Sequence, residues 1–281
     1  MHRAFMLRRS AAPSLGFVRS RVLAPAAPGL SRVPRLVAAS ARTLSAASSP
    51  TSSAVEELER LESRVPWWQS ALLRLGGTFT SDQWQAAAGG DMYVRILEAA
   101  ARPEVIGDET GRSALPDRFY TRLQLQGLLC WVAHVRLRQE PKEEFGILYR
   151  EMMEKVWEQA MLDLSRGSFQ MGYIEISKHI KAAQFAWHGS CRALDEALES
   201  EAPREQMAQV LMRNMYVDDE GDPLVDEAGE PLEHVVAGAS WLADYLLAQR
   251  SHLLTLATAD VLKGRITWAE PPPPPAAVAN V

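Results

Sequence analysis

Only two cysteines, Cys130 and Cys191, occur in the 281 residues. That excludes a disulfide framework, and the absence of a C-x-x-C pair excludes a thioredoxin-like redox motif. Free thiols suit a reducing compartment. No run of eighteen or more apolar residues is present, so the sequence offers no membrane-spanning helix. G-x-G-x-x-G and G-x-x-x-x-G-K are missing as well, which leaves no phosphate-cradling loop. Alternating strand patterns and Asn-Gly hairpin signals are absent. Acidic residues are missing from the whole stretch before Glu56, and so is lysine.

That acid-free stretch holds eight arginines: Arg3, Arg8, Arg9, Arg19, Arg21, Arg32, Arg35 and Arg42. The remaining 22 Lys and Arg (30 less 8) face all 35 Asp and Glu, so the rest of the chain carries about −13 against −5 overall. A leader rich in Arg, Ser and Ala and free of acids has the composition of a mitochondrial transit peptide. Phe5 and Leu7 can share one side of it, with the arginines on the other. A basic arm for nucleic acid and a chloroplast address are the alternatives. The acidity of the remainder argues against a broad nucleic-acid surface. At 47% hydrophobic and 23% charged, the chain has material for one domain with a sizeable core.

Beyond the leader the periodicity is helical. Val55, Leu58, Leu61 and Val65 recur at helical spacing, interrupted by Pro66 and the Gly76-Gly77 pair. A capping signal at Thr80 or Ser81 opens the next helix. The Gly89-Gly90 pair is read as a second interruption, followed by a short helix to Arg102. Residues 103–117 read as a loop and a domain boundary. Further helices are expected over 117–140, 143–166, 173–200 and 204–216, with a last long one over 233–262. Between the last two lies DDEGDPLVDEAGEPLEH, with eight carboxylates and no Lys or Arg. Its spacing fails the EF-hand pattern, so it reads as a solvated acidic loop. The sequence therefore predicts an all-α protein, a compact helical domain of about five to seven helices. The expected divisions are a disordered transit peptide and linker at 1–50, a helical extension at 51–114, the main domain at 115–270 and a disordered, Pro-rich tail at 271–281.

Each cysteine has a histidine within one helical turn. Cys130–His134 and His188–Cys191 would supply a Cys2His2 zinc site if their helices faced each other. The plainer alternative is two core thiols and two surface histidines. On helix 173–200, Ile176, Ile180, Ala183, Trp187, Cys191, Leu194 and Leu198 form one apolar stripe. Ala182, Ala186, Gly189, Ala193 and Ala197 line up beside it, as a close helix–helix approach requires. A thiol catalyst would need a base, a third aligned group and an accessible sulfur, and that pattern is missing.

Several blocks resemble the ubiquinol–cytochrome c reductase assembly chaperone family. They are LPDRFYTRLQLQGLLCWVAHVRLRQE, VWEQAMLDLSRG, HIKAAQFAWHGSCRALDEAL, MAQVLMRNMY and VLKGRITWAEP, in that order. Phe119 follows Leu-Pro-Asp as in family members. Trp131 occupies the tryptophan position of a His-Val-Trp trio whose His is Leu129 here. Trp157-Glu158, Phe185, Asp195, Ala197, Leu198, the Arg213-Asn214 pair, Gly264 and Trp268 fall on further family positions, and Leu194 replaces a tyrosine. The acidic insertion departs from compact relatives. The family pattern calls for neither cysteine.

The resemblance implies a non-enzymatic assembly chaperone with no cofactor and no metal. Its expected partners are nascent cytochrome b, a small assembly-factor partner protein and the mitochondrial ribosome. Its expected place is the matrix side of the mitochondrion, peripheral to the inner membrane. An accessory structural subunit of a mitochondrial complex and a helical zinc or thiol protein are the alternatives. Candidate partner-binding residues are Trp131, Arg136, Arg138, Lys181, Phe185 and Arg192. Phe185 is an aromatic on the polar side of its helix beside Lys181 and Arg192, unless another helix covers it. Arg136 and Arg138 would face RNA or acidic protein, or simply complement their helix dipole.

Overall fold

A computed structural model describes residues 53–66, 68–70, 80–106, 113–115, 118–166, 172–218 and 222–273. The leader, the Gly76-Gly77 pair and the end of the proline tail lie outside these residues. Eight helices have defined bounds: α1 (Ala54–Arg64), α2 (Ser81–Ala100), α3 (Phe119–Leu137), α4 (Lys142–Arg166), α5 (Tyr173–Leu198), α6 (Pro203–Met215), α7 (Glu233–Thr255) and α8 (Thr258–Leu262). Among the described residues the fold is all-α, relieved only by two isolated bridges, Val217–Pro223 and Val225–Pro231.

Local chemistry sets the helix starts. Ser53 caps α1 by accepting from Glu56 N at 3.2 Å. Asp91, from the middle of α2, accepts from Ser53 Oγ, Ala54 N and Val55 N, so one carboxylate ties α1 to α2. Thr80 caps α2 through Gln83 N, as its position predicts. Pro203 opens α6 at the first helical turn, where its missing N–H is harmless.

α3 and α7 are apolar around most of their circumference, and helices of that kind are buried. Leu125, Leu129, Cys130, Trp131, Val132 and Leu137 of α3 are fully buried, as are Ala239, Leu242, Tyr245, Leu246 and Leu253 of α7. Each large aliphatic side chain so buried contributes about 1.5–3 kcal/mol of transfer free energy. The amphipathic helices close around this pair, α2 packing on α4, α6 on α7, and α5 on both α4 and α6. A smaller cluster joins Ala160 and Leu164 of α4 to Ile176 and Ile180 of α5.

Two sequence expectations change here. Gly89-Gly90 does not interrupt α2, which runs unbroken from Ser81 to Ala100. A Cβ on Gly89 would collide with the Leu148 carbonyl of α4, so this glycine serves a helix crossing rather than a break. The expected single helix over 233–262 instead divides. Leu256 is extended at φ −72°, ψ 143°, and α8 starts afresh at Thr258. The cause is a tertiary contact described below.

The acidic segment makes the same backbone turn twice, at Asp218–Leu224 and Asp226–Leu232. Asp218 N donates to Asp222 O and Asp226 N to Glu230 O, while Asp218 Oδ1 and Asp226 Oδ1 accept from the backbone N–H groups of Asp222 and Glu230. Leu224 and Leu232, at the same place in each turn, pack against the core.

Candidate functional site

The six candidate residues fall into three places. Trp131, in the C-terminal half of α3, and Arg138, its C-cap residue, meet Asp195 of α5. Trp131 Nε1 donates to Asp195 Oδ1 at 2.9 Å, and Arg138 grips both carboxylate oxygens at 2.7 and 2.9 Å. Burial pulls the Asp195 pKa up, but the hydrogen bonds from Arg138 and Trp131 outweigh it and hold the carboxyl below its usual range. Its hydrogen bond to Asp195 raises the already high pKa of Arg138. Trp131 is 1% exposed, so its role is to lock α3 to α5 and it offers no surface to a partner.

Arg136 points the other way and is 4% exposed. Its guanidinium donates to Leu253 O, Leu256 O and Thr258 Oγ1 and pairs with Glu140 at 2.6 Å. Thr258 Oγ1 donates to the same Glu140 oxygen at 2.8 Å. The hydrogen bond from Arg136, then that from Thr258, lowers the Glu140 pKa. One arginine thereby collects carbonyls released at the end of α7, and the chain turns into α8 around it. Arg136 is a buried fastening, and the expected contact with RNA or acidic protein is withdrawn.

Lys181, Phe185 and Arg192 lie together on the outward side of α5. Phe185 is 84% exposed, so no other helix among the described residues covers it. Arg192 Nε pairs with Glu196 at 2.9 Å. Lys178 and Lys181 are exposed and have no ion-pair partner among the described residues. Ile174, at 73% exposed, stands one stripe position before Lys178, and Tyr173 is exposed beside it. The opposite face of α5 holds Ile176, Ile180 and Leu194, all buried, with Trp187 against Gly127 of α3. Ile174 and Tyr173 escaped the sequence reading because helix-start residues look alike whether covered or bare.

The two thiols come near each other, but the cysteine–histidine pairs do not assemble a four-ligand site. Cys130 is in the core and Cys191 is half-buried, and burial pushes both thiols up, Cys191 to about 12. His188 is exposed. His134 is not the surface histidine the sequence suggests: it stacks on Tyr149 with centroids 4.1 Å apart. Among the described residues no group of three or more His, Cys, Asp or Glu is placed to hold a metal ion.

Burial, followed by the nearby Arg138 charge, lowers the His134 pKa to about 4. Between pH 6.5 and 4 the unfolded chain therefore binds this proton and the folded one does not, so stability falls as pH falls through that window. After allowance for partial solvent screening the loss is on the order of 2 kcal/mol. Urea unfolding at pH 7 and pH 4.5 should show it, and His134→Phe should remove that part of the difference.

The profile of the ubiquinol-cytochrome C chaperone family matches residues 112–268, more than half of the chain. The chain belongs to that family. Its matched region runs from residue 112 to Trp268, so it takes in the α3–α5 lock, the Arg136 fastening and the outward face of α5. Among solved structures, the crystal structure of the Cbp3 homolog from Brucella abortus matches with a TM-score of 0.53 at 19% identity. That alignment covers 75% of this chain and 98% of the other. At that identity the likeness shows the fold alone. A comparison with curated protein sequences gives no match. The family is one of chaperones for ubiquinol–cytochrome c reductase assembly, which implies a non-enzyme.

Proposed function

We propose that this chain is a mitochondrial assembly factor for respiratory complex III that binds newly synthesised cytochrome b together with a small partner protein. On this reading it works on the matrix side, near the mitochondrial ribosome and peripheral to the inner membrane. The family match over residues 112–268 is the observation that carries the proposal. The acid-free, arginine-rich leader supports a mitochondrial address. Among the described residues no helix is long and apolar enough to cross a membrane, which is compatible with peripheral attachment.

The mechanism follows from what a nascent membrane protein exposes. Its apolar helices need a rigid frame that offers apolar and aromatic contacts while excluding other chains. Here the frame is the α3–α7 core. The contact face is the outward side of α5, with Phe185 as its aromatic and Lys181 and Arg192 as its charges. Arg138 borders it from α3 and holds it through Asp195. Trp131 and Arg136 act from beneath, by fixing the helices.

The test is depletion. Cells lacking the protein should lose assembled complex III while cytochrome b messenger persists, and re-expression should restore the complex. Unchanged complex III levels would overturn the proposal.

A further inference from the structure

We infer that the outward face of α5 docks an amphipathic, carboxylate-bearing helix of a protein partner. The inference rests on the chaperone reading and identifies the chemistry of one partner. Ile174, Lys178, Lys181 and Phe185 follow one another at intervals of four, three and four, which makes one stripe along the helix. All four are exposed. Two large apolar side chains about 16 Å apart along the helix axis thus bracket two lysines that no acid in the described chain neutralises.

Beside this stripe, Ala182, Ala186 and Gly189 are also exposed, and a Cβ added at Gly189 meets nothing within 4 Å. The small-residue line is covered where it continues to Ala193 and Ala197, yet among the described residues no helix packs over Ala182, Ala186 and Gly189. Gly90 and Gly146 have room too, so a roomy glycine alone carries nothing. What sets Gly189 apart is its neighbourhood: an exposed phenylalanine on one side and a trough of alanines on the other.

The occupant follows from charge and shape. Unpaired lysines between apolar anchors complement carboxylates flanking an apolar stripe. A shallow trough is useful only to another rigid rod, since small side chains let two helix backbones approach closely. A lipid surface gains from side chains that protrude and nothing from a trough. The chain beyond the leader also carries an excess of acids, which disfavours an anionic bilayer.

The test uses the full chain and three probes. One is a peptide about 18 residues long, helical, with a Leu/Ala face flanked by Glu. The second has Lys in place of each Glu. The third is vesicles of phosphatidylcholine with a minority of phosphatidylglycerol. The Glu-flanked peptide should bind about tenfold more tightly than the Lys-flanked one. Lys178→Glu with Lys181→Glu should reverse that order. Gly189→Leu should weaken binding about tenfold by filling the trough while leaving thermal unfolding unimpaired.

Equal binding of the two peptides, or indifference to Gly189→Leu, would overturn the inference. So would vesicle binding that Gly189→Leu strengthens, which would make the face a lipid contact. A dimer in light scattering that Gly189→Leu abolishes would make the occupant a second copy and overturn it as well. Complementation separates the two levels. If wild type restores complex III in depleted cells and the α5 variants do so equally, this inference fails and the chaperone reading stands. If wild type restores nothing, the reading itself falls.

Discussion

Arg136→Leu should destabilise the protein by about 3–5 kcal/mol, the usual consequence of removing one member of a buried ion pair. Four groups lose a partner together. Glu140 is left charged with only Thr258 beside it, the Thr258 hydroxyl loses its donor, and the carbonyls of Leu253 and Leu256 face a leucine in place of one N–H donor each. For a domain of this size the change corresponds to roughly 10 °C in Tm. Arg136→Lys should recover only part of the loss, because an ammonium cannot reproduce the planar fork. Arg138→Leu provides the contrast: that side chain is 40% exposed and should cost about 1 kcal/mol. Thermal unfolding of the three variants checks the ranking. Equal, small shifts for Arg136→Leu and Arg138→Leu would return Arg136 to the surface.

Gly264→Ala should be nearly as damaging, for reasons of backbone rather than charge. Gly264 sits just past α8 at φ +72°, the left-handed region that side chains with a Cβ resist. Its N–H donates to Val261 O, and Arg265 N donates to Asp260 O, the two bonds of a Schellman ending. This turn sends the chain back over α2, where a Cβ on Gly264 would strike the Ala88 carbonyl. The returning segment is then fastened by Trp268 Nε1 donating to Arg95 O and by Lys263 and Arg265 pairing with Glu59 of α1. Strain of about 1–2 kcal/mol adds to an overpacking cost of about 1–3 kcal/mol. Gly189→Ala is the control. It lies in open space on a helix, so it should raise stability by up to about 1 kcal/mol. Urea unfolding of the two variants should therefore give shifts of opposite sign.

These two residues also mark where the sequence was readable. Gly264 and Trp268 resemble family positions, and the structure supplies the reason: a left-handed turn that can occupy no more space than a glycine. The bounds of α3 to α6 are legible to within three residues, because their apolar periods are regular and Pro, Gly or a polar cap punctuates each end. Gly89 was not, since nothing local distinguishes a glycine that ends a helix from one that admits a crossing helix. The break at Leu256 was invisible for a similar reason. Its cause, Arg136, is distant in sequence, and its own neighbourhood suggested only a charge complementing the end of α3. His134 looked like a surface histidine until Tyr149 of α4 was brought onto its ring.

Of the candidate site, periodicity places Phe185 on the outward side of α5, but only the tertiary structure shows that no described neighbour covers it. Trp131 and Arg136 have the chemistry of docking residues but lie beneath the surface. A buried indole and a buried guanidinium carry the same residue types as a docking face, and sequence spacing does not separate the two.

The account turns on transient capture of newly made cytochrome b. Pulse-labelling of mitochondrial translation products followed by affinity capture of this chain tests it most directly. The chain should retain labelled cytochrome b at early times, in substoichiometric amount, and lose it as complex III matures. Finding the chain at one copy per mature complex III, with no preference for newly labelled cytochrome b, would contradict the account.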